Sequence, residues 1–390
     1  MTSVGRRLRI AVLNRTFSPV AGGAERYSIA LVEKLAAKHE IHVFAQSIDH
    51  QWPGVSYHRV SMPLRRPRWV NQLWFATLTW WATRRGFDVV HSHENTWHGQ
   101  VQTVHVLPIK HNLFNGLEGL ARFARLLKVL TSPRLVAYLL LERARYARHH
   151  DRAVVVISET LRAIFSASYP DAVGMTSVIT PGIDLPACPA GGSDQISARN
   201  ELGLPQDKTC LLFVGNDFRK KGLDTLLAAM QRMPADVVLA VIGDSSQRPQ
   251  FVQLAAQMGL ASRVFFLGAL KDVSPAYRAA DTLVHPTLED TFAMVVLEAM
   301  AHGLPVIVSS AKYCGIAGFL SSGVNVLILE DPRDAASLAA SVLGLLNDKV
   351  PRATMCRAAR AFASEFSWDD IAARQEKIYH AVSAQVLARR

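Results

Sequence analysis

The stretch His285–Val306, which reads H-P-T-L-E-D-T-F-A-M-V-V-L-E-A-M-A-H-G-L-P-V, decides the fold because it contains a whole helix with its start and stop signals. The pattern predicts a helix that begins near Thr291 and ends at His302. Gly303 follows as a left-handed stop, a conformation that glycine adopts without strain. A strand pattern begins at Val306, so the stretch predicts one helix–strand step of an α/β fold.

Two carboxylates lie in this stretch, eight residues apart. Asp290 would lie at the N-terminal end of the helix, and Glu298 about two turns further on, among apolar residues. A buried carboxylate needs hydrogen-bond partners. An ordinary helix with a capping Asp is one interpretation. The other is a ligand site, since the free N–H groups and the dipole at a helix N-terminus favour an anion such as a phosphate.

The same stretch resembles a known signature, the pattern E-G-F-G-x-x-x-x-E-A-M-A-x-G-x-P-V of retaining family 4 glycosyltransferases, which have the two-domain GT-B fold. The tail A-M-A-H-G-L-P-V follows in register. The first Glu of the pattern is Asp290 here and Glu289 precedes it, so the resemblance leaves open which acid contacts the sugar. It implies that Glu298 binds the ribose hydroxyls of a nucleotide and that Asp290 binds a sugar hydroxyl.

The composition is that of a folded globular protein, with 49% hydrophobic and 19% charged residues. A chain of 390 residues is long enough for two domains of ordinary size. It contains no apolar run of about 18 residues, and Met1–Arg9 leads directly into a strand pattern, so we expect neither a transmembrane helix nor a signal peptide. The cysteines have no C-x-x-C spacing, which indicates a reducing, cytoplasmic compartment. They are Cys188, Cys210, Cys314 and Cys356.

Positive charge is concentrated in the first half of the chain. Residues 1–185 contain 23 Lys and Arg and 12 Asp and Glu, a net charge of +11, whereas the remainder contains 20 of each. Arg65, Arg66 and Arg68 precede a cluster of Trp, Leu and Phe that extends to Trp81. Basic residues mixed with aromatics are typical of a peripheral contact with an anionic membrane surface or a phosphorylated glycolipid. A solvated basic face over core tryptophans is the alternative, and we expect no nucleic acid because no recognised nucleic-acid-binding module is present.

The first domain begins with an apolar strand, Leu8–Leu13, and a glycine turn. Gly22 and Gly23 open a helix that extends to about Lys38. Strand, glycine turn and helix together form an arrangement that cradles phosphates, although the G-x-G-x-x-G fingerprint is absent. The family resemblance implies that this glycine pair lets the backbone approach the donor diphosphate and the acceptor.

Five histidines crowd one region of the first domain: His91, His93, His98, His105 and His111. Their spacing does not match H-E-x-x-H or its relatives, so we expect no metal site. His105 ends the run Q-T-V-H, which resembles the T-x-H position of the family. The resemblance implies that its imidazole lies near the donor sugar.

The second domain alternates strands and helices, which indicates a parallel sheet. Its first strand leads into Gly215–Gly222, G-N-D-F-R-K-K-G, before a helix. Parallel sheets bind nucleotides at such loops, so this run favours diphosphate binding over a solvated turn. The resemblance to the family pattern G-R-x-x-x-x-K-G assigns Gly215 and Lys221 to the leaving diphosphate. Asn216 replaces the Arg of the pattern, and we assign the guanidinium role to Arg219 by proximity.

Two sequence runs of the second domain make the family resemblance more specific. G-x-D-F-x-x-K-G and R-V-F-F-L-G are most like the glucosyltransferases of the lipopolysaccharide inner core. Val264, in the second run, is one of the predicted nucleotide-sugar-binding residues. The backbone N–H groups of Phe292, Ala293 and Met294, near the start of the predicted helix, are expected to stabilise the charge of the departing diphosphate. The loop Ala311–Gly318 lacks the acidic residue that many family members have there.

The resemblance covers essentially the whole chain and implies a GT-B fold of the α/β class, with two Rossmann-like doubly wound parallel-sheet domains that face a central cleft. Val178–Asp184 resembles the segment that closes the first domain, and a linker rich in Pro, Ala and Gly follows. We therefore expect an acceptor-binding domain at 1–185, a nucleotide-sugar-binding domain at 186–365 and a C-terminal helix at 366–390 that crosses back to the first domain.

These expectations describe a retaining glycosyltransferase that moves a sugar, most simply glucose, from a UDP-sugar to a membrane-presented glycolipid or lipopolysaccharide core acceptor. Asp290 and His105 are the predicted catalytic residues. No cofactor or metal is expected, since protein cations would stabilise the departing diphosphate. The enzyme would be cytoplasmic and peripherally associated with the inner face of the inner membrane.

Other functions stay open. A GDP-mannose-type mannosyltransferase of exopolysaccharide or glycolipid synthesis and a UDP-sugar epimerase would share the fold. A phosphorylase-like enzyme would need a lysine that bears pyridoxal phosphate. A non-catalytic protein would bind the nucleotide sugar without releasing UDP from it.

Overall fold

The computed structural model describes residues 6–64, 66–186, 192–347 and 352–388. Arg65 and Cys188, which the sequence analysis uses, lie outside these ranges. The chain divides into two compact units, one formed by Met1–Pro181 and Trp368–Arg390 and the other by Gly182–Ser367. The predicted domain borders, after residues 185 and 365, fall close to these divisions.

The strands of the first unit are β1 (Arg9–Leu13), β2 (Thr16–Phe17), β3 (Glu40–Ala45), β4 (Ser47–Ile48), β5 (Val55–Arg59), β6 (Val89–Ser92), β7 (Val101–Val104), β8 (Ala153–Val156) and β9 (Thr176–Val178). Seven of them form a parallel sheet in the order β5-β3-β1-β6-β7-β8-β9, and β2 pairs with β4. The central strands are apolar because helices cover both faces of such a sheet. The strand order reverses between β1 and β6, where sheets of this kind bind ligands beyond the carboxyl ends of the strands.

The helices of the first unit that precede the second are α1 (Gly23–Ala36), α2 (Arg68–Thr83), α3 (Ile109–Phe114), α4 (Gly119–Leu130), α5 (Pro133–Arg145) and α6 (Glu159–Ser168). The buried face of α1 carries Tyr27, Leu31 and Leu35. Ser158 caps α6, because its hydroxyl oxygen accepts the backbone N–H of Leu161 at 3.1 Å.

The strands of the second unit are β10 (Thr209–Val214), β11 (Val237–Ile242), β12 (Val264–Gly268), β13 (Thr282–His285), β14 (Val306–Ser309) and β15 (Leu327–Leu329). They form a parallel sheet in the order β12-β11-β10-β13-β14-β15, which reverses between β10 and β13. Leu211 of β10 pairs with Leu239 of β11 on one side and with Thr282 of β13 on the other. The predicted class, two doubly wound parallel-sheet domains, is confirmed.

The helices of the second unit are α7 (Gly192–Leu202), α8 (Leu223–Met230), α9 (Arg248–Gln257), α10 (Ser274–Ala279), α11 (Met294–Ala301), α12 (Ala335–Leu346) and α13 (Arg352–Ser364). One hydrophobic core joins α8 and α12 to the sheet, with Leu226, Leu239 and Leu338 each fully buried. Within the described ranges, no helix is long and apolar enough to cross a membrane.

The last helix, α14 (Trp368–Leu387), belongs to the first unit and packs against α1. Trp368 meets Tyr27 edge-on, with 5.6 Å between the ring centroids. Lys38 Nζ lies 2.9 Å from Oε2 of Glu376. Aromatic packing and a surface ion pair therefore attach α14 to the first unit.

The helix predicted at Thr291 begins later, at Met294. Two causes delay it: Asp290 turns back to accept backbone N–H groups of its own loop, and Ala293 adopts a left-handed conformation with a φ of 68°. Non-glycine residues rarely adopt this conformation, so the backbone before Met294 is a turn and not a first helical turn. The predicted stop is confirmed, since Gly303 follows the helix with a φ of 71°.

Candidate functional site

The loops after β10 and β13 lie side by side, because these two strands are neighbours at the point where the strand order reverses. The backbone N–H of Leu288 donates to the carbonyl of Lys220 at 2.8 Å, which joins the two loops directly. Gly222 makes this approach possible: a side-chain carbon there would lie 1.9 Å from the carbonyl oxygen of Pro286, and its φ is +79°. Only glycine satisfies both conditions without strain.

Asp290 is the best-connected side chain of these loops. Its Oδ2 accepts from Lys221 Nζ at 2.6 Å and lies 3.2 Å from Nε2 of His285, and its Oδ1 accepts the N–H of Ala293 at 2.8 Å. Burial alone would raise the pKa of Asp290, but the Lys221 ammonium and the His285 ring outweigh it and hold that pKa well below its usual range. Asp290 is therefore an ionised, oriented carboxylate at neutral pH.

Glu289, the second candidate acid, has a different environment. It is exposed, and its Oε1 lies 3.0 Å from Nζ of Lys220 at the surface. Exposed pairs of this kind contribute little because both charges stay in water. Of the two acids, Asp290 has the partners expected of an oriented site residue.

The predicted anion-binding N–H groups are partly engaged. Phe292 and Ala293 both direct their backbone N–H to Oδ1 of Asp290, at 3.3 and 2.8 Å. Their role at a diphosphate stays a prediction, since the Asp290 side chain folds onto its own loop and accepts both N–H groups. Met294 begins the helix α11. Its N–H keeps the predicted role because the first N–H groups of a helix have no partner within that helix.

The Gly215–Gly222 loop divides into a structural and a charged part. Asn216, at the position of the family Arg, accepts the backbone N–H of Asp244 with Oδ1 at 3.0 Å and so ties two loops together. Arg219 is exposed, and its charge opposes the rise that burial causes in the pKa of Asp224. The loop thus brings Lys221 to Asp290, whereas the guanidinium role of Arg219 stays a prediction.

Glu298 lies on α11 among fully buried residues and is itself 8% exposed. The hydroxyl of Tyr277 donates to its Oε2 at 2.5 Å. The predicted partner for a buried carboxylate is therefore supplied in part by a tyrosine.

Val264 does not lie with the other predicted residues. It is the first residue of β12, at the amino end of the strand, and its side chain packs in the hydrophobic core. Ligands of a parallel sheet bind at the opposite, carboxyl edge. The R-V-F-F-L-G run is a core strand whose carboxyl end is Gly268, so this position argues against a direct contact of Val264 with the nucleotide, and its assignment stays a prediction.

In the first unit, a carboxylate lies against the glycine turn at the start of α1. A side-chain carbon on Gly22 would lie 2.9 Å from Oε2 of Glu25, and Gly23 is exposed. Burial raises the pKa of Glu25; its own backbone N–H opposes the rise, and the charge of Glu94 adds to it. A negative side chain at this turn favours a hydroxyl-bearing ligand over a diphosphate.

His105 belongs to a buried group of histidines at the carboxyl ends of β6 and β7. Its Nε2 lies 2.9 Å from Nδ1 of His93, and the two rings stack. Burial lowers the pKa of His105 to about 3, and the charge of Arg145 adds to the effect. His91 lies within hydrogen-bond distance of Tyr379 and Thr103. Burial lowers the pKa of His91 to about 3 as well. These rings are neutral at neutral pH, so His105 would act by hydrogen bonding and not as a charge.

Two groups among the described residues have the spacing of a metal site, and neither contains a predicted site residue: His39, Glu376 and His380, and His149, His150 and Asp151. In the first, the backbone N–H of Leu8 donates to Nδ1 of His39 at 3.3 Å. That bond leaves the ring proton of neutral His39 on Nε2, the atom that faces Glu376 at 3.4 Å. A protonated Nε2 suits a hydrogen bond better than a metal ion.

Sequence reasoning missed three residues of the second-unit site: His285, Tyr277 and Gly243. A side-chain carbon on Gly243 would lie 2.0 Å from the carbonyl oxygen of Gly215, so this glycine permits the loop packing. His285 ends β13 directly before Pro286, a strand-end position that could have marked it. Tyr277 had no local signal, because its contact with Glu298 joins two helices.

Two families of known proteins match this chain, and several curated proteins are similar to it in sequence. Residues 21–186 match the family described as Glycosyltransferase Family 4, and residues 194–362 match Glycosyl transferases group 1. A D-inositol 3-phosphate glycosyltransferase of Xylanimonas cellulosilytica is 34% identical over 212 residues, 52% of this chain and 50% of that protein. The lipopolysaccharide glucosyltransferase WaaG of Escherichia coli is 28% identical over 204 residues, 50% of this chain and 53% of that protein. The chain spans about half the length of the curated relatives it matches.

Solved structures share the fold along nearly the whole chain. The crystal structure of WaaG, a glycosyltransferase involved in lipopolysaccharide biosynthesis, has a TM-score of 0.82 at 21% identity and covers 95% of this chain and 99% of its own. Anabaena Alr3699/HepE, solved in complex with UDP-glucose, has a TM-score of 0.75 at 19% identity and covers 97% of this chain and 100% of its own. The fold and the matched regions define a glycosyltransferase of the GT-B class. The chain belongs to the family 4 and group 1 glycosyltransferases.

Proposed function

We propose that this glycosyltransferase transfers a sugar, glucose in the first instance, from UDP-glucose to a membrane-presented glycolipid with retention of the anomeric configuration. The observation that carries the proposal is the arrangement of Lys221, Asp290 and Glu298 at the switch point of the second unit. It offers one cation in the loop after β10, one oriented carboxylate in the loop after β13 and one buried carboxylate on α11. The HepE complex with UDP-glucose supports the choice of donor.

Each group has a task in this proposal. Lys221 and the N–H of Met294 stabilise the charge that develops on the departing diphosphate, where a preorganised charge acts most strongly. Glu298 accepts the ribose hydroxyls, and Asp290 accepts a sugar hydroxyl while the sugar gains oxocarbenium character. The bond from the anomeric carbon to the diphosphate oxygen breaks, and the acceptor oxygen bonds to the same face. The acceptor proton passes to the leaving diphosphate.

The first unit is the proposed acceptor unit. Glu25 and Glu94 at its switch point provide acceptors for hydroxyl groups, and His105 provides a neutral imidazole beside the sugar. Two surfaces of this unit would hold it at an anionic membrane, the cytoplasmic face of the inner membrane in this proposal. One is α2, where Trp80 and Trp81 are exposed and both lie under the guanidinium of Arg84, at 5.8 and 5.7 Å.

The second surface is α4, an amphipathic helix whose apolar face points outward. The apolar residues recur at helical spacing and are exposed, as expected of a helix that lies in a membrane interface. They are Leu120, Phe123, Leu127 and Leu130. Arg122, Arg125 and Lys128 lie between them and match the charge of an anionic headgroup layer.

Liposome sedimentation tests the membrane part of the proposal. Phe123→Ser/Leu127→Ser should reduce binding to anionic vesicles, whereas Val173→Ser, at another exposed apolar position of the first unit, should not. Binding should also fall as salt rises, because surface charge is screened. Equal binding to neutral and anionic vesicles would contradict an electrostatic contribution to membrane binding.

Donor screening with product analysis tests the reaction. We expect UDP-glucose to raise the melting temperature more than GDP-mannose or an ADP-sugar, and UDP release to require a glycolipid acceptor. A preference for GDP-mannose would show that the donor is not UDP-glucose. Conversion of the UDP-sugar without an acceptor would indicate an epimerase. Binding without UDP release would indicate a non-catalytic protein. An inverted product linkage would contradict retention.

A further inference from the structure

The carboxylate of Glu298 has a phenol partner that the proposed mechanism does not use. The hydroxyl of Tyr277, on α10, donates to Oε2 of Glu298, on α11, across 2.5 Å. Both residues are buried, Tyr277 at 3% and Glu298 at 8% exposure. Hydrogen bonds to a charged group are shorter and stronger than neutral ones, so this contact restricts the orientation of the carboxylate.

Tyr277 is itself held in place from the other side. Its ring lies 5.0 Å from the ring of His302, centroid to centroid. Nδ1 of His302 donates to the backbone carbonyl of Glu298 at 2.9 Å, which fixes the histidine to the end of α11. Burial lowers the pKa of His302, so a neutral ring packs against the phenol. The three side chains therefore form one connected group, with Glu298 on α11, His302 directly after its last residue and Tyr277 on α10.

We infer that Tyr277 is a positioning residue that orients Glu298 for the ribose of the nucleotide, an inference that rests on the proposed function. The 2′- and 3′-hydroxyls of a ribose form a vicinal diol, and a carboxylate binds such a diol best when its plane is fixed. Tyr277 donates to Oε2 and thereby fixes the plane of the carboxylate that meets the diol. Tyr277 acts through Glu298 and not on the donor itself.

The inference predicts a specific loss in Tyr277→Phe. This substitution keeps the ring against His302 and removes only the hydroxyl. Loss of a hydrogen bond to a charged group corresponds to about tenfold or more in affinity. The loss should depend on the ribose hydroxyls, because only they use the orientation that Tyr277 imposes.

Calorimetric titration with UDP and with 2′,3′-dideoxy-UDP measures this dependence. Wild-type protein should bind UDP at least about tenfold more tightly than the dideoxy nucleotide. In Tyr277→Phe this ratio should fall to about twofold, with the affinity for the dideoxy nucleotide nearly unchanged. With UDP-glucose, KM should rise by about tenfold with kcat within about twofold, as for a residue that acts on ground-state and transition-state binding alike. Tyr146→Phe, which removes the hydroxyl of a buried tyrosine in the first unit, is the matched control and should preserve the ratio.

The outcomes separate this inference from the proposed function. A Tyr277→Phe variant that weakens both nucleotides equally would show a merely structural role and overturn the inference alone, as would a fall in kcat with unchanged KM. Wild-type protein that binds both nucleotides equally, or neither, would overturn the ribose contact of Glu298 and with it both proposals.

Discussion

The ammonium of Lys221 lies 2.6 Å from Oδ2 of Asp290, and this ion pair joins the loops that follow two neighbouring strands of the second unit. The two side chains are 21% and 16% exposed, so water screens the pair only in part. The Asp290 carboxylate also accepts two backbone N–H groups of its own loop. One carboxylate thus fixes a cation and shapes the turn before α11.

Asp290→Asn tests the catalytic assignment. The amide oxygen of Asn can still accept the N–H of Ala293, so the loop should keep its shape while the charge is lost. We expect kcat to fall at least about tenfold, or about 1.4 kcal/mol of transition-state stabilisation, with little change in KM. Glu289→Gln should lower kcat by a smaller factor, because Glu289 pairs with Lys220 at the surface. The reverse order in steady-state kinetics would move the catalytic role to Glu289 and leave Asp290 as a structural acceptor.

Gly222→Ala tests the close approach of the two loops. Gly222 and Gly259 both have positive φ, 79° and 73°, but only at Gly222 would a side-chain carbon meet another backbone, the carbonyl of Pro286. Gly259→Ala should therefore cost about 1 kcal/mol for its conformation alone. Gly222→Ala should reduce the free energy of unfolding by at least about 1 kcal/mol more. Urea denaturation measures both, and equal losses would show that the approach is not required.

Local patterns in the sequence predicted much of the second unit. The strand–helix alternation, the left-handed stop at Gly303 and the buried position of Glu298 all follow from residue types and spacing within one element. The start of α11 did not, because it depends on where the Asp290 side chain turns. The left-handed Ala293 also has no signal in its residue type, since alanine favours a helix.

Contacts between elements account for the remaining differences. Tyr277 reaches Glu298 only because the fold brings α10 and α11 together. His285 reaches Asp290 because the loop after β13 turns back toward the end of that strand. Val264 is the opposite case: its motif is visible in the sequence, but the residue lies at the amino end of its strand, away from the carboxyl edge of the sheet. In the first unit, the phosphate-cradle pattern at Gly22 did not reveal that Glu25 folds back against the turn.

The buried histidines predict a loss of stability in acid. Burial lowers the pKa of His105 and of His91 to about 3, from 6.5. Such a histidine binds fewer protons when folded, so its stability contribution is complete above pH 6.5 and is lost as the pH falls toward 3. His105→Gln should make the fall between about pH 6 and pH 4 shallower by up to about 1.4 kcal/mol per pH unit. Urea denaturation across this range checks the slope, and an unchanged slope would contradict the burial of a neutral His105.

Metal removal tests whether protein groups alone stabilise the diphosphate. Because Lys221 and the start of α11 supply this charge in the proposal, EDTA treatment followed by gel filtration should leave activity within about twofold. Loss of activity that returns with Mg²⁺ or Mn²⁺ would show that a divalent cation shares the task.

The ribose contact of Glu298 is the centre of the account, and titration with UDP tests it most directly. Glu298→Gln keeps an acceptor oxygen for Tyr277 and removes only the charge. Glu330→Gln, at an exposed glutamate of the same unit, is the matched control. We expect UDP to bind the wild type and the control alike, and Glu298→Gln at least about tenfold more weakly, with an unchanged melting temperature in the absence of ligand. Equal UDP affinity of Glu298→Gln and the wild type would contradict the account.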